Sequence, residues 1–210
     1  MSYYSEKEYR AKDKDDIWFE TLYFNRWFSN IRGPILDIGC ATGNFIAVRP
    51  DQIEGIDIDE DSLEIARRKG YKVEKMNAEG GLWKIASGCY QGVYAKHVIE
   101  HLNDPLLFIK EVKRILAPGG KAIISTPNCP YMLNRAFWDD YTHMRPFTKK
   151  SLAMLAYDAG FRNFKVYEDF RCLPGLGKLI RIFNLSPDKI GKFQRSLGIK
   201  GLSLILELNN

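Results

Sequence analysis

The sequence has little of what disulfide-stapled or metal-stapled proteins are built from. Its four cysteines, Cys40, Cys89, Cys129 and Cys172, are far apart and form no CxxC pair. No zinc-ligand spacing is present, and reduced thiols in a cytoplasmic protein are the simplest expectation. No stretch approaches the roughly 18 consecutive apolar residues of a membrane-spanning helix. The opening MSYYSEKEYRAKDKDD lacks the apolar centre of a secretion signal, which also points to a cytoplasmic location. Internal repeats and low-complexity tracts are missing too. Histidine occurs only at His97, His101 and His143.

What is present is ordinary for a globular protein. The 210 residues are 45% hydrophobic and 27% charged, which excludes disorder and coiled coil. The length fits one domain over 1–210 with a single large core. A net charge of +5 does not by itself imply nucleic acid. Residues 1–30 form an aromatic cap, with Tyr3, Tyr4 and Tyr9 ahead of a helix expected over 16–30. That segment is a candidate lid over a ligand.

Strands and helices then alternate. Strands are expected at 34–38, 53–58, 71–75, 92–95, 121–125, 163–167 and 202–208. Helices are expected at 61–69, 105–116 and 149–159, the second with Leu106, Ile109, Val112 and Leu116 on one face. Gly119-Gly120 reads as a turn into the fifth strand. Repeated β-α units with apolar strands predict a mostly parallel sheet covered on both faces, an α/β doubly wound fold. Residues 171–200 interrupt the pattern between the last two strands. They carry seven basic residues against a single acid, Asp188, a net of +6. A solvated helical face is the first reading of this basic insertion. Peripheral contact with an anionic membrane is the second, and a phosphate backbone the third.

The segment ILDIGCATGNF, residues 35–45, carries the chemistry. Asp37 ends a strand and Gly39, Ala41 and Gly43 follow as small residues. Asp57 ends the next strand. Glycines let the backbone approach a ligand, and the second acid can grip ribose hydroxyls. The spacing is GxAxG rather than the GxGxxG of dinucleotide sites. An acid ahead of the glycines opposes a pyrophosphate but suits a ligand with an ammonium and a sulfonium. This disfavours a nicotinamide oxidoreductase.

Five ordered segments resemble the class I S-adenosylmethionine-dependent methyltransferases. They are LDIGCATGNF, GIDIDEDSLEIARRKG, NAEG at 77–80, VYAKHVIEHLNDP and ILAPGGKAIISTPN. Ala41 stands where that family usually has glycine. The resemblance implies a Rossmann-like, seven-stranded sheet whose last strand is antiparallel. It implies S-adenosylmethionine as cofactor and S-adenosylhomocysteine as product. Asp37, Gly39, Cys40, Ala41 and Gly43 should then form the loop around the methionine part. Asp57 should take the ribose hydroxyls, Ile58 the adenine face, and Asn77 and Ala78 the adenine edge. Ala95 and Lys96 should offer backbone near the methionine amine.

The histidines follow strand ends, where open α/β sheets bind ligands. His97 and His101 come just after the fourth strand's carboxyl end, in KHVIEH. His143 lies in a long loop after the fifth strand, a candidate lid. His143 is the first choice for a base that deprotonates an acceptor hydroxyl, with His101 and Glu100 next. HVIEH…H is also similar to the ExxEH…H pattern of small-RNA terminal 2′-O-methyltransferases, and in part to ubiquinone-pathway O-methyltransferases. His97 departs from that pattern's first glutamate. A divalent metal is not expected, and Glu100, His101 and His143 are the candidates should one bind. The expected activity is methyl transfer to a small-molecule acceptor, oxygen ahead of nitrogen. The alternatives are an RNA-terminal 2′-O-methyltransferase and a non-catalytic S-adenosylmethionine-binding partner subunit. Nucleic acid is not the expected partner, and oligomeric state is open.

Overall fold

The computed structural model describes residues 13–129, 135–169 and 201–210. The tyrosine-rich start of the cap and the basic insertion at 171–200 lie outside the described residues. The chain order is α1 (Asp13–Trp27), β1 (Ile35–Ile38), β2 (Ile53–Asp57), α2 (Glu60–Arg68), β3 (Val73–Lys75) and β4 (Tyr90–Lys96). Then come α3 (Pro105–Ile115), β5 (Leu116–Pro127), α4 (Arg135–Trp138), α5 (Lys149–Asp158), β6 (Asn163–Asp169) and β7 (Ser203–Asn209). No helix among the described residues is long and apolar enough to cross a membrane.

The seven strands lie in the order β3-β2-β1-β4-β5-β7-β6. β7 is antiparallel to both β5 and β6, so the other six run in one direction. All six therefore end on one edge, with Ile38, Asp57, Lys75, Lys96, Pro127 and Asp169 as terminal residues. The parallel strands read as apolar runs because both faces are covered. One face packs Phe108, Ile109, Val112 and Ile115 of α3 and Leu152 and Ala156 of α5 against Leu36, Val93, Ile124 and Leu206. The other packs Tyr23, Phe24 and Phe28 of α1 with Phe45 against Ile35, Tyr94, Ile123 and Ile205.

Local chemistry sets the helix starts. Asp59 caps α2 by accepting from the Ser62 amide. Asp104 caps α3 through Leu107, with Pro105 in the first turn. Thr148 and Ser151 form a reciprocal capping box on α5.

Two expectations change. α3 stops at Ile115, and Leu116 already belongs to β5. The buried face is thus Phe108, Ile109, Val112 and Ile115. Gly119-Gly120 is not a turn ahead of a strand but an excursion within β5. Pairing with β4 jumps from Leu116 opposite Tyr90 to Lys121 opposite Gly92. Gly119 takes φ +74°, a conformation that favours glycine, and Asn210 closes the excursion through backbone bonds to both glycines.

Helix α1 holds the sheet through a layer of aromatics, with Glu20 also bonded to Tyr94 and Lys96 of β4. Phe28 is fully buried, edge-on to Phe45 and Tyr94. Phe28→Ala should cost about 3–5 kcal/mol in urea unfolding. A loss under about 1 kcal/mol would mean that the surrounding rings collapse into the space.

Candidate active site

The carboxyl edge of β1, β2 and β4 forms the first half of the site. Three residues of the turn after β1 take positive φ: Gly39 at +75°, Ala41 at +45° and Gly43 at +84°. Space is as limiting as conformation. A Cβ on Gly39 would meet Val98 Cγ2 at 2.5 Å, and one on Gly43 would meet the Tyr71 ring at 2.5 Å. Ala41 carries its methyl group in a region that costs an L residue about 1–2 kcal/mol. Its amide donates to Asp57 Oδ2 at 2.8 Å, which fixes the turn against β2. Asp57 Oδ1 accepts from the Asp59 amide at 2.9 Å. Each carboxylate oxygen keeps a further lone pair, enough for a ribose diol. Ile58 beside it is 62% exposed, an apolar face with nothing on it. Asn77 turns its own loop by accepting from the Glu79 amide, and Ala78 packs on the core.

Asp37 is the unusual member. Its carboxylate is 4% exposed, and no donor among the described residues bonds it. Burial pushes its pKa well up, and the charges of Glu20 and Asp57 push the same way against Lys96. Neighbouring Cys40 is buried, and burial, then Asp37 and Asp57, push its thiol up, so it stays protonated. A buried, unbonded carboxylate between two more acids is a place for a cation. The positive φ turn, the diol-ready Asp57 and the bare Ile58 supply the remaining contacts. These residues fit S-adenosylmethionine, which offers an ammonium, a sulfonium, a ribose diol and an adenine.

Sequence reasoning missed Glu20. It lies on α1, outside every motif, and is 4% exposed. It accepts from Lys96 Nζ at 2.5 Å and from the Tyr94 hydroxyl at 2.9 Å. The signal was an acid three and four residues before Tyr23 and Phe24, on the stripe that α1 buries. Lys96, expected to act through its backbone, thus has its side chain tied to this helix.

The second half of the site is the histidine cluster. His97 follows β4 with φ +55° and donates its amide to the Ser125 carbonyl at 2.9 Å. His97 Nδ1 lies 3.0 Å from Glu100 Oε1. Glu100 is fully buried, and its other oxygen accepts from the Thr126 hydroxyl at 3.0 Å. The Glu100 carbonyl accepts from the amides of Met144 and Arg145, which stitches the long loop to the turn at 99–101. His101 and His143 then lie together, ring centroids 4.7 Å apart. His101 Nδ1 is 2.9 Å from Thr142 Oγ1, and His143 Nδ1 is 2.6 Å from the Phe137 carbonyl. Ligating atoms of Glu100, His101 and His143 all lie within 4.8 Å of one another. The structure therefore brings all three histidines to one place, with His97 as the half-exposed ring and His143 packed between His101 and Phe137.

Because the folded state raises the Asp37 pKa, the stability it contributes is present in acid. That stability is lost as pH rises through the raised value. Asp37→Asn should therefore melt a few degrees higher than the wild type at neutral pH, without ligand. The same variant should lose S-adenosylmethionine affinity. Wild-type affinity should rise with pH and binding should release protons, read by calorimetry in buffers of different ionisation enthalpy. A variant with lower Tm and unchanged affinity would contradict this account.

Comparison with known proteins agrees with the geometry. A family model described as a methyltransferase domain matches residues 13–166. A Mycobacterium tuberculosis protein described as a probable S-adenosylmethionine-dependent methyltransferase is 30% identical over 131 residues, 60% of this chain and 48% of its own length. The demethylmenaquinone methyltransferase of Bacillus velezensis is 24% identical, over 70% of this chain and 67% of its own. The chain spans about half the length of the first of these relatives. Among solved structures, a SAM-dependent methyltransferase from Archaeoglobus fulgidus superposes with a TM-score of 0.72 at 23% identity, covering 98% of this chain and 100% of the other. A phosphoethanolamine N-methyltransferase of Haemonchus contortus in complex with S-adenosyl-L-methionine superposes at 0.65 and 16% identity, covering 92% of this chain and 52% of the other. The match over residues 13–166, on a sheet that ends in this site, means that the chain belongs to the methyltransferase-domain family.

Proposed function

We propose that the protein moves the methyl group of S-adenosylmethionine to a hydroxyl of a small molecule. The observation that carries this reading is His97, an imidazole held by a fully buried carboxylate beside the glycine turn. S-adenosylmethionine supplies a methyl carbon already activated on a sulfonium, so this chain's work is to orient the acceptor and take its proton. His97 turns Nδ1 to Glu100, whose other oxygen accepts from Thr126, so Nε2 is the ring nitrogen left to meet an acceptor hydroxyl. The Gly39–Val98 packing places that ring next to the cofactor turn. His101 and His143 form the adjoining wall, held by Thr142 and by the Phe137 carbonyl. The segment that carries His143 also exposes Trp138, Tyr141 and Met144, apolar surface suited to an organic acceptor.

A panel of phenols, catechols and alcohols, read by S-adenosylhomocysteine release, tests this. His97→Gln should lower turnover roughly 100- to 10,000-fold. His143→Ala should lower turnover less and leave cofactor affinity nearly unchanged. Equal turnover in His97→Gln and wild type would remove His97 from the reaction, and transfer to amines alone would remove the hydroxyl.

A second reading rests on Glu100, His101 and His143 as a metal set. One carboxylate and two imidazoles suit a divalent ion, and the Nδ1 contacts of both histidines leave each Nε2 to ligate. An ion held there would lower the pKa of an acceptor diol. Calorimetric titration of Mn²⁺ into protein saturated with S-adenosylhomocysteine, with His101→Ala as control, decides it. Heat that vanishes in the variant supports the metal, and no heat in the wild type ends the reading.

A further inference from the structure

We propose that Glu79 is a positioning residue that ties the loop after β3 to the loop carrying His143, so that filling the cofactor site firms the wall beside the acceptor. The proposal rests on S-adenosylmethionine binding with its adenine at Asn77 and Ala78. It adds to that reading an order of binding, cofactor before acceptor.

The tie has two sides that meet at one turn. On the cofactor side, the loop at 76–81 is anchored to β2 and wound on itself. The Met76 amide donates to the Asp57 carbonyl at 2.8 Å, and the Glu79 amide donates to Asn77 Oδ1 at 2.9 Å. A Cβ on Gly81 would lie 2.6 Å from the Asn77 carbonyl oxygen, so the loop has no slack. From this loop the Glu79 carboxylate reaches the turn at 102–104. One oxygen accepts from Asn103 Nδ2 at 2.9 Å, the other from the Asp104 amide at 2.8 Å. On the acceptor side, the Asn103 carbonyl accepts from the Arg145 guanidinium at 3.0 Å. The Glu100 carbonyl accepts from the Met144 and Arg145 amides at 2.9 and 3.1 Å. Asn103 is thus held by the cofactor loop through its side chain and by the histidine loop through its carbonyl.

The sequence of α3 shows why Glu79 is needed there. Asp104 caps the helix by accepting from the Leu107 amide. A capping box is completed by a Glu or Gln at that third position, reaching back to the amide of the cap. Leu107 has no acceptor to do so, and Glu79 takes the Asp104 amide from another loop. Helix α5, by contrast, is boxed by its own Thr148 and Ser151. The start of α3 and the turn before it therefore depend on where the cofactor loop lies. These bonds are at the surface, where water competes and each contributes little alone, so the tie opens more readily than the core. A ligand that orders 77–78 holds Glu79 in place and shifts the tie toward its closed form. By reciprocity, the closed tie favours the ligand.

Hydrogen exchange of the Met144 and Arg145 amides reads the tie without an acceptor, because both are bonded across it to Glu100. They are followed in wild type, Glu79→Met, Arg145→Met and the double variant, each free and saturated with S-adenosylhomocysteine. Methionine keeps most of the length of either side chain and removes its hydrogen bonds, and Arg145→Met tests the tie from the far side of the turn. The ligand should slow exchange of both amides about fivefold in wild type and less than about twofold in either single variant. The double variant should lose no more of this protection than the singles, because the two residues act in series. Affinity for S-adenosylhomocysteine should fall in Glu79→Met by no more than the factor of protection that the ligand adds to the wild type. Equal slowing by the ligand in wild type and Glu79→Met would overturn the proposal, as would no slowing in the wild type. So would a change in Glu79→Met confined to the first turn of α3, which marks a helix cap and nothing more. Failure of the wild type to bind S-adenosylhomocysteine would instead overturn the methyl-donor reading beneath it.

Discussion

A carboxyl group enclosed by the sheet, with no hydrogen bond from any described residue, is the constraint around which this protein is arranged. Asp37 ends β1, the strand between β2 and β4 and one of the most enclosed positions of the sheet. An acid in that position works against folding, and the surrounding structure must hold it there by other means. Parallel pairing on both sides of β1 does this, together with two aliphatic and aromatic layers that enclose it. Glu20, Asp57 and Lys96 then set its electrostatics from three other elements. A cation received there would relieve the same repulsion that raises the Asp37 pKa.

Strain is concentrated on the same edge. Among the described residues, only Ala41 and His97 take positive φ without being glycine. They lie in the two turns that meet where Gly39 packs on Val98. Each is over-determined by its neighbours: Ala41 by its bond to Asp57, His97 by the Ser125 carbonyl and Glu100. Backbone held in this manner does not relax when a substrate arrives, and a site that transfers a group in line needs that stiffness.

Much of this was legible in the sequence, because the periodic signals coincide with the burial they create. Apolar runs at 35–38 and 121–125, caps at Asp59 and Asp104, and the glycine turn all follow from local chemistry. The expectation of a cofactor loop rests on contiguous segments in the same way, and the structure gathers Asp37, Ala41 and Asp57 on the carboxyl edge of β1 and β2. What could not be read depends on distant parts meeting. Glu20 gains its meaning only when α1 is laid across β4. Thr126 matters only because β5 ends beside the turn at 99–101. His143 reads as the first-choice base because it stands in a long loop; what the sequence does not show is that its ring packs on Phe137 beside His101, while the His97 ring meets the Glu100 carboxylate. The Gly119-Gly120 pair likewise reads as a turn until Asn210 arrives to close it as an excursion within a strand.

The place of β7 has a consequence for how such a chain is made. Residues 203–209 lie between β5 and β6, hydrogen-bonded along both edges. A ribosome delivers β5 and β6 long before that strand. Until residue 209 has emerged, both strands hold open edges that face each other across a gap one strand wide, and Leu204, Leu206 and Leu208 are missing from the larger core. The sheet cannot be finished from the amino-terminal side alone. Before β7 emerges only β3-β2-β1-β4-β5 can pair in native order, and the outer edge of β5 stays open. An open edge of that kind is a template for wrong pairing.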